Sequence, residues 1–226
     1  MPGSGDWSSL ARSADLDELR EHILTGFKAG KPFTPYPPTL ALPSPLRQIL
    51  DFGCGLGRNF PYLTSVADRV VGFDLPAMIA RCRALFAQQP KGLAVPSSEN
   101  LEPRVRLEDD WSALRTDRFD LVYAALVLQH VEIEACRAFL TDFARMAPAV
   151  YLLTRSDGDF GANVLDLVDE TRDFDPGLCV EVDHDPTTHQ LRVLGRRTFA
   201  DARASGGSRH YEMLLRSRVG SASGYS

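Results

Sequence analysis

The sequence predicts an α/β fold built on a mostly parallel sheet with helices on both faces, and three observations carry that expectation. Short apolar runs of strand character alternate with helical repeats of roughly 10 to 15 residues, the pattern of parallel strands joined by right-handed crossovers. Residues 120–124 (Asp-Leu-Val-Tyr-Ala) are almost continuously apolar, as a strand covered on both faces requires. The stretch Asp51-Phe52-Gly53-Cys54-Gly55-Leu56-Gly57-Arg58-Asn59 joins a strand-like run to a helix-like one through three alternating glycines. Glycine permits positive φ and close backbone approach in such a turn, which then presents free backbone N–H groups to a ligand.

With 226 residues, 44% hydrophobic and 24% charged, the chain is of ordinary globular composition and fits one domain. We expect residues 1–45 to form an arm, a helix and a proline-rich connector, and residues 46–226 to form one globular unit. A net charge of −5 without a basic run argues against a general nucleic-acid or membrane-surface binder. The four cysteines are widely spaced with no C-x-x-C pair, which suggests reduced thiols rather than a zinc site or a disulfide framework. No apolar run approaches the roughly 18 residues of a membrane-spanning helix, and no signal-peptide pattern opens the chain. The expectation is a cytoplasmic protein without a membrane span; monomer and homodimer both remain open.

Residues 15–29 repeat apolar positions at helical spacing (Leu16, Leu19, Ile23, Leu24, Phe27) between a capping Asp15 and a terminating Gly30. Six prolines at 31–45 exclude a helix and make a stiff extended connector. A first strand at 47–51 runs into the glycine turn, and a helix at 59–66 tolerates Pro61 in its first turn. A second strand at 69–73 is followed by a helix opening near Pro76, with Met78, Ile79, Cys82, Leu85 and Phe86 on one face. After a loop at 92–103 come a third strand at 104–107 and the fourth at 120–124. A helix at 132–146 turns Ile133, Cys136, Phe139, Leu140 and Phe143 inward, and a fifth strand occupies 150–153. The spacing then predicts a short helix at 163–172, strands at 179–183 and 190–194 around a proline turn, and a last alternating strand at 210–217.

The glycine turn is not the dinucleotide fingerprint G-x-G-x-x-G, which would require glycine where Arg58 stands. Asp51, just before the turn, would repel a pyrophosphate and suits a ligand carrying an ammonium group. At these residues the chain resembles the class I S-adenosylmethionine (SAM)-dependent methyltransferases, whose first motif is an acidic residue followed by G-x-G-x-G. Three further stretches fall in the same order: residues 70–75 (Val-Val-Gly-Phe-Asp-Leu), 105–111 (Val-Arg-Leu-Glu-Asp-Asp-Trp) and 119–131, which close on Leu128-Gln129-His130-Val131. The resemblance implies a Rossmann-like three-layer sandwich, a seven-stranded sheet with an antiparallel edge strand, and an N-terminal helical lid.

It also implies site residues. Asp51, Gly53, Cys54, Gly55 and Gly57 would lie against the methionine part of SAM, Asp74 would hold both ribose hydroxyls, and Leu75 would face the adenine. Asp110, with Asp109 as the competing register, and Trp111 would read the adenine edge, and Ala125 and Leu126 would supply backbone beside the methionine. The acceptor, expected to be a small molecule, would meet Tyr36, His130, Arg155 and Asp157, with His130 the candidate base. S-adenosylhomocysteine (SAH) would be the product. A non-catalytic SAM-binding protein, and a relative that uses SAM for another reaction, stay open as alternatives. The cluster Asp183, His184, Asp185 and His189 matches no standard metal spacing and reads as a solvated hairpin tip.

Overall fold

A computed structural model describes residue 12 and residues 35–88, 104–155, 164–168, 170–184, 190–198 and 210–219. The expected helix at 15–29 lies outside the described residues, as does Asp157.

Among those residues one sheet of eight strands runs in the order β3-β2-β1-β4-β5-β8-β6-β7. The strands are β1 (Leu46–Phe52), β2 (Ala67–Phe73), β3 (Val105–Glu108), β4 (Leu121–Ala125), β5 (Ala149–Arg155), β6 (Phe174–His184), β7 (Leu191–Arg197) and β8 (His210–Ser217). The pairs β1–β2, β1–β4, β2–β3 and β4–β5 are parallel, whereas β8 pairs antiparallel with both β5 and β6, and β7 pairs antiparallel with β6. The α/β class and the mostly parallel sheet are as the pattern predicts. The sheet has the eight strands that the pattern lists, one more than the resemblance implies, and the last strand of the chain lies inside it, between β5 and β6. The strand is covered on both faces, with Tyr211, Met213 and Leu215 fully buried on one and Glu212 on the other, as suits a strand inside the sheet. Asp183, in the expected hairpin, is ion-paired to Arg192 at 2.8 Å.

Among the described residues the helices are α1 (Phe60–Val66), α2 (Pro76–Gln88), the short α3 (Trp111–Leu114) and α4 (Ile133–Met146), with a 3₁₀ turn at Leu128–His130, and residues 164–168 are helical as well. In α4 the buried positions Cys136, Leu140 and Phe143 form one stripe, while Ile133 is exposed in the first turn rather than inward as expected. That stripe packs on one face of the sheet, against Phe52, Val122 and Leu152. Phe60 and Leu63 of α1 and Ile79 and Cys82 of α2 cover the other face, against Ile49, Tyr123 and Tyr151. All four cysteines are free and buried. Strand order reverses between β1 and β4, and in open α/β sheets ligands bind outside the carboxyl ends of the strands at such a switch point.

Candidate functional site

The glycine turn leaves β1 with positive φ at Gly53 (72°), Gly55 (57°) and Gly57 (82°). The three have different reasons to lack a side chain. A Cβ on Gly53 would stand 2.2 Å from Val127 Cγ2, and one on Gly57 would stand 2.5 Å from the Phe60 ring. A Cβ on Gly55 would meet nothing within 4 Å. Its φ favours glycine, and the space it leaves lies open. The N–H groups of Gly53 and Cys54 donate to the Phe73 carbonyl (2.8 and 3.0 Å), which ties the turn to the end of β2. Cys54 buries its side chain in the core, so it can offer a ligand only backbone.

Asp74 follows β2, and its Oδ2 accepts the Gly55 N–H at 2.7 Å while its Oδ1 accepts the Leu75 N–H at 2.7 Å. Burial raises its pKa to about 6 against the opposing effect of those two N–H groups. Asp51 is 1% exposed, and its Oδ2 has no hydrogen-bond partner. Burial, and then the charge of Asp74, push the Asp51 pKa up to about 8. A buried carboxylate oxygen without a donor is costly unless something fills its place. Leu75 is an exposed leucine beside this pair, at 41%. Leu126, just past β4, takes φ 58°, a left-handed conformation rare for a residue with a Cβ, and donates its N–H to Leu153 O at 2.7 Å.

Asp110 is exposed and caps α3: its Oδ1 accepts the N–H groups of Ser112 (2.9 Å) and Ala113 (3.4 Å), and the Ser112 hydroxyl (2.6 Å). Those bonds lower its pKa, the Ser112 side chain contributing most. Asp109 precedes it, half-exposed. The Trp111 indole packs among Phe52, Phe73, Phe139 and Phe143 and donates Nε1–H to Asp142 at 3.0 Å.

Tyr36, expected at the substrate, is 7% exposed and tethers the connector instead. Its N–H donates to Asn59 Oδ1 (3.0 Å), its carbonyl accepts the Tyr123 hydroxyl, and its own hydroxyl accepts Arg58 Nη1, with that guanidinium 4.7 Å above the ring. A few residues on, Glu212 of β8, fully buried, accepts the Leu40 N–H at 2.9 Å and the Thr39 hydroxyl. Sequence reasoning missed Arg58, Asn59, Tyr123 and Glu212. Only Glu212, a charge among the apolar residues of 211–215, left a trace in the pattern.

At the carboxyl ends of β4 and β5 the buried Gln129 amide accepts the Arg155 N–H on Oε1 at 2.9 Å and lies with Nε2 3.2 Å from His130 Nε2. Burial, and then the Arg155 guanidinium, lower the His130 pKa. Arg155 stands opposite His210 across the β5–β8 ladder. The structure therefore brings Asp51, the three glycines, Asp74, Leu75, Leu126, His130 and Arg155 to one carboxyl edge, buries Tyr36 against Arg58 and Asn59 just after the glycine turn, and packs the Trp111 ring in the aromatic cluster on α4.

Residues 50–149 match the family model described as a methyltransferase domain. Over those residues the chain carries a methyltransferase domain. No curated protein matches the sequence. Solved structures share the fold at low identity. The methyltransferase domain of bacterial CtHen1-CN is 13% identical with TM-score 0.50, covering 76% of this chain and 90% of that one. The putative RNA methyltransferase PH1948 from Pyrococcus horikoshii is 11% identical with TM-score 0.50, covering 76% and 75%. The N-methyltransferase NodS from Bradyrhizobium japonicum WM9, solved with SAH, is 12% identical with TM-score 0.49, covering 76% and 79%.

Proposed function

We propose that the protein transfers the methyl group of SAM to an oxygen of a small molecule, a metabolite, natural product or sugar, in the cytoplasm, and that the β1–β2 half of the carboxyl edge holds the cofactor. The observation that carries the cofactor assignment is the unpartnered, buried Oδ2 of Asp51 beside the open space at Gly55. An ammonium group supplies the missing donor and returns Asp51 to its charged form, and a glycine with no Cβ lets a bulky ligand approach the backbone. In this reading Asp74 receives the ribose hydroxyls, Leu75 lies against the adenine, and the exocyclic amine goes to Asp110 through Oδ2, the oxygen that does not cap α3, or to Asp109. Trp111 contributes backbone only, and Ala125 and Leu126 line the methionine side.

When bound, the cofactor supplies a methyl group on a sulfonium, and the protein's task is to align the acceptor opposite the leaving sulfur and keep water out. The net charge of −5 supports a small acceptor over RNA, and four free, buried cysteines suit a reducing compartment. Methyl-labelled SAM, incubated with the protein and either a library of small oxygen acceptors or total RNA, tests this. Label in a small product together with SAH is the expected result. Label in RNA, or methylthioadenosine as the sulfur product, contradicts it.

A further inference from the structure

Among the described residues Leu126 alone has a positive φ without being glycine. Its side chain is half-buried against the α1–α2 face of the sheet, and a glycine or asparagine would reach the same backbone conformation at less cost. The conformation is held from both ends. On the β5 side the Leu126 N–H donates to Leu153 O at 2.7 Å and carries the β4–β5 ladder past the pair Ala125–Leu153. On the other side Val127 O accepts the His130 N–H at 2.9 Å, which opens the 3₁₀ turn, and the Val127 side chain lies on the backbone of Gly53, where a Cβ would stand between 2.2 and 3.0 Å from the Val127 carbons. Backbone strain of this kind persists where the surroundings over-determine it, and it clusters at ligand sites.

Leu126 turns the chain at the end of β4, and β4 flanks β1 on the side opposite β2 and Asp74. A ligand that gives its ribose to Asp74 and its ammonium to Asp51 runs along the edge from β2 toward β4. Its amino-acid end then meets the backbone of residues 125 and 126. A negative φ at Leu126 would swing the peptide that follows and lift Val127 from Gly53, and both changes would reshape that wall. Resting on the cofactor assignment above, we propose that Leu126 is a positioning residue whose left-handed backbone, not its leucine side chain, shapes the wall for the amino-acid end of the ligand, and so sets the preference of the site for SAM and SAH over nucleosides that lack that end. The residue type at 126 then matters through the conformation it allows. Asparagine suits the left-handed region, whereas isoleucine, an isomer of leucine branched at Cβ, resists it. Alanine removes the leucine side chain without asparagine's preference for that region.

The test measures SAH and 5′-methylthioadenosine, which lacks the amino-acid end, on the full-length protein and its Leu126 variants by calorimetry, with thermal melts alongside. Methylthioadenosine is read by its displacement of SAH where its own heat is small. We expect Leu126→Ile to weaken SAH by about fivefold or more and methylthioadenosine by less than about twofold. Leu126→Asn should hold SAH within about twofold of the wild type and bind it about threefold more tightly than Leu126→Ala. Because both of these variants lose the leucine, their comparison stands even where Leu126→Ile does not fold. A folded Leu126→Ile that binds SAH like the wild type overturns the proposal, as does Leu126→Asn binding SAH no better than Leu126→Ala. Melting temperatures that shift while the ratio of the two affinities stays fixed make Leu126 a structural residue only, which overturns it as well. A wild type that binds neither ligand sinks the cofactor assignment instead.

Discussion

The two halves of the carboxyl edge carry opposite charge. Beside β1 and β2 stand Asp51 and Asp74, both with pKa values raised by burial, around a turn of three glycines. Beside β4 and β5 stand Arg155 and a His130 whose pKa is lowered. One half is built for a cationic ligand, and in our proposal the left-handed step at Leu126 shapes the wall where that half meets the other.

The halves also differ in how far the sequence reveals them. The cofactor half is local: one turn holds every glycine, and Asp74 is 19 residues from the Gly55 N–H it accepts. Such short-range chemistry leaves a motif. The acceptor half depends on a hydrogen bond between residues 26 apart, and the connector is tied down by Glu212 from 172 residues away. Neither contact has a sequence spacing that pattern reasoning could have picked out. The order of the last three strands was left open for the same reason, since the pairing of β8 with β5 and β6 joins segments far apart in the chain. Asp110 and Trp111 were legible as a pair, but the capping of α3 by Asp110 and the aromatic cluster that holds the Trp111 ring on α4 were not.

The sharpest way to break the comparison is within the glycine turn itself. Gly53→Ala should cost about 3 kcal/mol of stability, from overpacking against Val127 and left-handed strain together. Gly55→Ala should cost only about 1–2 kcal/mol of strain while lowering SAM affinity more than tenfold. Thermal melts and calorimetry on both variants separate fold from ligand, and a pair that behaves alike would remove the distinction.

Next in size is a pH effect on the ligand-free protein. With unfolded values near 3.8 and folded values of about 8 for Asp51 and about 6 for Asp74, the native state binds extra protons between roughly pH 4 and 8. The associated stability is complete below the unfolded pKa and is lost as pH rises through the folded values. Tm should fall between pH 5 and 8.5, Asp51→Asn should remove most of that slope, and saturating SAH should flatten it. A Tm that rises over this range contradicts the buried-acid account. Smaller still is the tether. Glu212→Gln should lower stability by about 1–2 kcal/mol, by replacing charge-assisted bonds to Thr39 and Leu40 with neutral ones. Hydrogen exchange should quicken at Leu40 and remain unchanged at Gly55. Exchange that quickens equally at both would mean that the connector and the cofactor turn move as one unit.

The central claim, that the acidic half is a SAM site, is tested most directly by calorimetric titration of SAM, SAH and NAD into the wild type and into Asp74→Ala. The account predicts that the two sulfur ligands bind, that NAD does not, and that Asp74→Ala weakens SAM on the order of 100-fold, as expected for two hydrogen bonds to a charged group. Equal SAM affinity in wild type and Asp74→Ala, or binding of NAD, would contradict it.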